Sequence, residues 1–244
     1  MPSGRLLALA FLLACPLVSG GAAHAQTTDR ARAAAEIESL REQLKAREAV
    51  LLAPSDEDRK AYAEFLARPD TGLIRLLPRE KWDGKLSMRG GGAYYSFARL
   101  THEYGYGSDV ELQQGKLAVG FAGADFGFML DLGGVPLDDV SEETEAVRYM
   151  ASFKTPAPEA EARAAYRQFG DRHGHQAGPW TYRSRLPAVA GHTYALRSVN
   201  YRDSDVLVAF RLVRKDADGS VVILWKLLKR YPKPKLERNV AAGQ

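Results

Sequence analysis

Between Thr27 and Ala53 the apolar residues Ala33, Ile37, Leu40, Leu44 and Leu51 recur at helical spacings, with no glycine or proline between them. Alanine, glutamate, arginine and leucine dominate the segment, so it is predicted as one helix. The spacing makes a short heptad seam that Arg47 interrupts. Such a seam serves either self-association, as a stalk or short coiled coil, or packing on the chain's own domain. Pro54 ends the pattern. Ser55 followed by Asp58 reads as a capping box opening a second helix, with Tyr62, Phe65 and Leu66 as its buried stripe and Pro69 as its stop.

From Thr71 the period falls from helical to two. "GLIRLLP" is a short strand. Tyr94, Ser96, Ala98, Leu100, His102 and Tyr104 alternate with Tyr95, Phe97, Arg99 and Thr101, which predicts one long strand. Val110 and Leu112, the "QQGK" hairpin, and Leu117, Val119 and Phe121 follow. Phe126, Phe128, Leu130 and Leu132 then alternate with Gly127, Met129 and Asp131, as in an antiparallel meander with one buried face. The glycines fall where the chain reverses, while Gly120 and Gly127 fall within strand-like runs and point to bulges or bends. The glycine-rich stretch is no phosphate loop. Gly90-Gly91-Gly92 lacks the lysine and the following helix, and no G-x-G-x-x-G opens a helix.

Helical spacing returns from Ser141, the expected cap, through "PAPEAEARAAYRQF", where Pro158 suits a first turn and Gly170 a stop. A second β block runs from Trp180 to Tyr231. Its last strand is apolar on both sides, so it is expected at the centre of a sheet with both faces covered. The blocks share a weak likeness, Tyr95, Arg99, Tyr104, Ser108-Asp109-Val110 against Tyr194, Arg197, Tyr201, Ser204-Asp205-Val206. Chance similarity of two amphipathic hairpins accounts for it better than duplication. The fold class expected is α+β: antiparallel meander blocks sharing one core, in a curved or even barrel-like sheet, with an inserted helical pair and an N-terminal helical segment. Residues 1–25 are expected as a signal peptide, 26–53 as the amphipathic helix, 54–231 as one domain, and 232–244 as a flexible, frayed basic tail.

The export reading comes from the first residues. Arg5 precedes an apolar run from Leu6 to Val18, and Ala23-His24-Ala25 matches the pattern cut by signal peptidase. The run is too short for a bilayer span, and none follows it. Leu12-Leu13-Ala14-Cys15 offers a lipoprotein alternative, against which Leu13 and Pro16 both weigh. The cut after Ala25 removes Cys15, which is the chain's 1 cysteine, so no disulfide is expected even in the periplasm or outside the cell. A composition of 45% hydrophobic and 26% charged residues is that of an ordinary globular protein. The net charge of +4 is too mild for a dedicated nucleic-acid binder.

Candidate chemistry is sparse. His102, Asp109 and Asp125 are weak catalytic candidates, the two aspartates because both flank turns at one end of the meander. Core packing for His102 and local backbone capping for the aspartates are the plainer readings. Tyr94, Tyr104 and Tyr106 are candidate ligand-stacking residues. His173 and His175 are a weak metal pair, since two loop histidines without spaced partners specify little. No cofactor is expected. Neither a nucleophile elbow nor an H-E-x-x-H is present, since Tyr106 stands where the second histidine should be. The basic end, Lys226, Lys229, Arg230, Lys233, Lys235 and Arg238, could contact an anionic envelope component. Together these features suggest an exported binding or scaffold protein, with a carbohydrate or envelope hydrolase as the alternative and a metal binder after that.

Overall fold

The computed structural model describes residues 21–105, 107–121 and 123–237. Most of the expected signal sequence, with Arg5 and Cys15, lies outside them, as do Tyr106 and Arg238. The described chain falls into one unit ending at Lys45 and a second beginning at Ala46.

The first unit is helical. Helix α1 (Gly21–Leu52) begins there, with Ile37, Leu40 and Leu44 exposed at 50%, 57% and 46%. Its last turns belong to the second unit, where Leu52 is buried and the buried Glu48 accepts from the backbone N–H and the hydroxyl of Ser87.

The second unit continues with α2 (Asp56–Ala61), α3 (Ala63–Leu66), β1 (Thr71–Leu76), α4 (Arg79–Trp82), β2 (Tyr94–Tyr95), β3 (Val110–Gln113), β4 (Lys116–Ala118) and β5 (Phe126–Asp131). Then come α5 (Glu145–Ser152), α6 (Glu159–Gly170), β6 (His175–Ala177), β7 (Trp180–Tyr182), β8 (Arg185–Pro187), β9 (Thr193–Asn200), β10 (Ser204–Lys215) and β11 (Val221–Arg230). The expected capping box is formed: Ser55 Oγ accepts from the Asp58 N–H, and Asp58 accepts from the Ser55 N–H.

All strand pairings are antiparallel, in the orders β1-β11-β10-β9-β5, β2-β3-β4-β8 and β6-β7. Alternation along the long strands sends side chains into two cores, one on each face of the five-stranded sheet. Phe126, Phe128, Ala195, Val199, Leu207, Ala209 and Leu224 meet Val147, Met150, Ala162 and Phe169 of α5 and α6. Met129, Tyr194, Leu196, Val208, Phe210, Ile223 and Trp225 face the other way, onto Val110, Leu112, Leu117 and Leu186 of the four-stranded sheet. The layers are therefore helices, sheet and sheet. As expected, β11 is an inner strand, flanked by β1 and β10.

Several expectations are corrected. Among the described residues no sheet closes into a barrel; the β blocks form separate sheets and exchange strands, β5 pairing with β9 and β8 with β4. The expected strand over 94–104 stops at Tyr95. Ser96 to Thr101 turn back on themselves, with Leu100 at φ 56°, because the Asp109 carboxylate takes the Phe97 and Ala98 N–H groups that a partner strand would have taken. Met129 on the second face of β5 is buried too, since that sheet is covered on both sides. Gly127 makes no bulge, for β5 keeps regular register with β9. It leaves room for Val119, whose Cγ2 would lie 2.2 Å from an added Cβ.

Helix α5 starts after Thr144 rather than at Ser141, whose own N–H donates to Thr144 Oγ1. The tail does not fray at Pro232. Pro234 is buried, its carbonyl accepts from the Arg202 N–H, and Glu237 exchanges backbone bonds with Ala157 and Glu159 at the start of α6.

Candidate functional site

Three turns gather at one end of the two-sheet stack: the link between β2 and β3, the link between β4 and β5, and the turn between β9 and β10. Asp109 joins two of them. It is fully buried and accepts at Oδ2 from the Phe97 N–H (2.7 Å) and at Oδ1 from Asn200 Nδ2 (3.0 Å), which also donates to Ser198 Oγ. Burial pushes its carboxyl up to about 6 against the lowering effect of hydrogen bonds from Ser198, the Phe97 and Ala98 N–H groups and Ser96. The third turn is tied in by Asp125, whose Oδ1 accepts from the Tyr201 N–H at 2.8 Å. Burial raises its carboxyl as well, and the negative charge of Asp203 adds to the rise. Asp203 is held by Arg99 Nη2 at 2.6 Å, while its Oδ2 is buried without a hydrogen-bond partner.

These turns enclose a concavity of about 280 Å³ lined by Arg89, Tyr104, Gly105, Ser108, Phe121, Asp125 and Asn200. That is just under the size at which ligand pockets begin, about 300 Å³. One wall is aromatic. Tyr104 packs on Tyr94 with ring centroids 4.5 Å apart, Phe121 meets Tyr94 edge-on at 5.2 Å, and the exposed Arg89 guanidinium lies 5.4 Å over Tyr104. Tyr94 stands behind this wall, buried, with its hydroxyl donating to Glu111 Oε1 at 2.7 Å. Burial, reinforced by the Glu111 carboxylate, raises that phenol well above its usual range, so it stays neutral. Facing the aromatic wall are a carboxylate, an amide and a hydroxyl: Asp125, Asn200 and Ser108.

Of the residues singled out in the sequence, Tyr104 and Asp125 line this pocket, while Tyr94 and Asp109 support it from behind. Tyr106 is outside the described residues. His102 stands elsewhere, its Nε2–H donating to the Arg75 carbonyl at 2.9 Å and its ring edge-on to Tyr95. Burial depresses its basicity, so it is a neutral packing histidine. His173 accepts from Arg172, and His175 is engaged by Gln168 and packs on Tyr149 and Phe169. Among the described residues no group of three or more His, Cys, Asp or Glu is placed to hold a metal ion.

Sequence reasoning missed Arg89, Ser108, Phe121 and Asn200. The polar run Asn200 to Asp205 between two strands was the one available signal. Its likeness to the first block does not extend to contacts, since Arg197 pairs with Asp205 whereas Arg99 reaches Asp203. Comparison with protein families, with characterised proteins and with solved structures finds no match to this chain.

Proposed function

We propose that the protein is an exported, non-enzymatic binding module of the periplasm or envelope, and that the turn-end pocket takes a small polyhydroxylated ligand such as a sugar unit. One observation carries this reading: polar groups from three separate turns converge on a single aromatic-walled concavity. An aromatic face stacks on the apolar side of a sugar ring, while the Asp125 carboxylate and the Asn200 amide oxygen accept hydrogen bonds from its hydroxyls. The signal-like N-terminus supports export. Among the described residues no helix is long and apolar enough to cross a membrane. The exposed seam Ile37, Leu40 and Leu44 supports self-association through α1 as the scaffold part of the role.

The test is titration of the mature protein with chitobiose and cellobiose, followed by tyrosine fluorescence and NMR. Binding that weakens about tenfold in Tyr104→Ala, at unchanged melting temperature, is the expected result. If neither sugar shifts any resonance from residues around the pocket, the ligand assignment fails.

The raised carboxyl of Asp125 beside Asp203 favours a second reading, a hydrolase of carbohydrate or envelope substrate with Asp125 as proton donor. Asp125→Asn separates the two. A binder keeps most of its affinity with no turnover before or after the change, whereas a hydrolase cleaves the oligosaccharide only as wild type.

A further inference from the structure

Away from the turn end, the segment after α5 and the docked tail after β11 form the two banks of a groove of about 460 Å³. Its floor holds Arg197, Asp205 and Tyr231. Arg197 is fully buried and its guanidinium is consumed: two bonds to Asp205 (2.6 and 3.0 Å), one to the Met150 carbonyl (2.9 Å), and the Tyr231 ring 3.3 Å beneath. Asp205 also accepts from the Thr155 hydroxyl at 2.7 Å. The floor is therefore neutral and its polar groups are occupied.

The banks are not neutral. Lys154 stands on one, Lys233 and Lys235 on the other; all are exposed, and none makes an ion pair among the described residues. Asp205, already compensated, is the one acid in the lining. The tail cannot simply swing away, because Arg202, Ala157 and Glu159 hold its backbone through Glu237. Pro232 and Pro234 stiffen it further. The fold thus holds like charges along one concave channel.

We propose that this groove is an anion-binding site for phosphate groups carried along a soluble chain. Ammonium groups act as compact point charges that suit phosphate. No planar fork is on offer to grip a carboxylate or a phosphate through paired bonds, because the groove's one arginine is spent on Asp205, so the lysines favour the anion of higher charge, tripolyphosphate over citrate. A channel between two banks admits a chain better than it fits the plane of a bilayer. The inference rests on residues apart from the sugar pocket and stands or falls separately from it.

The mature protein is titrated calorimetrically with inorganic tripolyphosphate at low salt, beside the Lys154→Ala/Lys233→Ala/Lys235→Ala variant and Lys233→Glu alone. Removing a lysine from an anion-binding surface costs about fivefold, so the triple variant should bind on the order of a hundredfold more weakly. Its circular dichroism and melting temperature should be unchanged. Citrate should bind at least about tenfold more weakly than tripolyphosphate. Undiminished binding by both variants, or equal binding of citrate, overturns the proposal. So does failure of wild type to bind either tripolyphosphate or vesicles containing phosphatidylglycerol. Lysine-dependent binding to tripolyphosphate supports a soluble phosphate chain as the source. Lysine-dependent binding to the vesicles alone retains the phosphate site and overturns the soluble source in favour of a lipid head group.

Discussion

Asp109 shows how one buried side chain decides local structure. It ends a would-be strand by capturing the Phe97 and Ala98 N–H groups, and it fixes Asn200 at the wall of the pocket. Its folded carboxyl is raised by burial to about 6 from 3.8, so folding favours the protonated form. The stability this group contributes is fully present below about pH 4 and is lost as pH rises through about 6, on the order of 2–3 kcal/mol over that window. The stability of wild type minus that of Asp109→Asn, from urea unfolding across pH 4 to 7, should fall by that amount, because the other titrating carboxylates such as Asp125 are common to both proteins. A difference that instead grows through the window would assign Asp109 as an ionised, donor-stabilised carboxylate. Asp109→Ala strands several buried donors and should cost about 3 kcal/mol or more at pH 5. The sequence singled out Asp109 as a turn residue, but the partner that gives it a role at the pocket is 91 positions away.

Among the elements, the ones legible in the sequence were those whose signal is local. The capping box at Ser55 and the Gln114-Gly115 hairpin, with φ of 51° and 69°, both formed where expected. Each depends on neighbours a few residues apart. Gly127 was legible as a special position but not as a contact, because what occupies its missing Cβ is Val119, just past the end of β4 of the other sheet. Gly127→Ala should lower stability by about 1–3 kcal/mol, since the new methyl would meet both Val119 Cγ2 and, at 2.7 Å, the Arg197 carbonyl. Adding Val119→Ala should relieve the first clash and leave the second. A double variant no less stable than Val119→Ala alone would refute that account.

For the whole molecule, the two cores explain how a chain with 1 cysteine, which can close no internal disulfide, holds together. The five-stranded sheet is buried on both faces, by helices on one and by the four-stranded sheet on the other. The exposed seam of α1 carries the prediction at this scale. Sedimentation of residues 26–244 at about 100 µM, where a short coiled coil should associate, is expected to show a dimer. The expected outcome for Leu40→Asp/Leu44→Asp is a monomer with the same melting temperature. A wild type that is monomeric at that concentration removes the self-association part of the proposed role.

The periods of the apolar pattern, by themselves, determined the α+β class, the order of most elements and the inner place of β11, because period and turn chemistry act between near neighbours. Strand partners lay beyond that reach. Period two says that a strand has two faces and not which strand lies beside it, so only tertiary structure could pair β5 with β9, β8 with β4, and Glu237 with the start of α6. The pocket is a product of those distant pairings. Tyr104, Asp125 and Asn200 carry no shared motif, and they meet because the ends of two sheets are brought to one place.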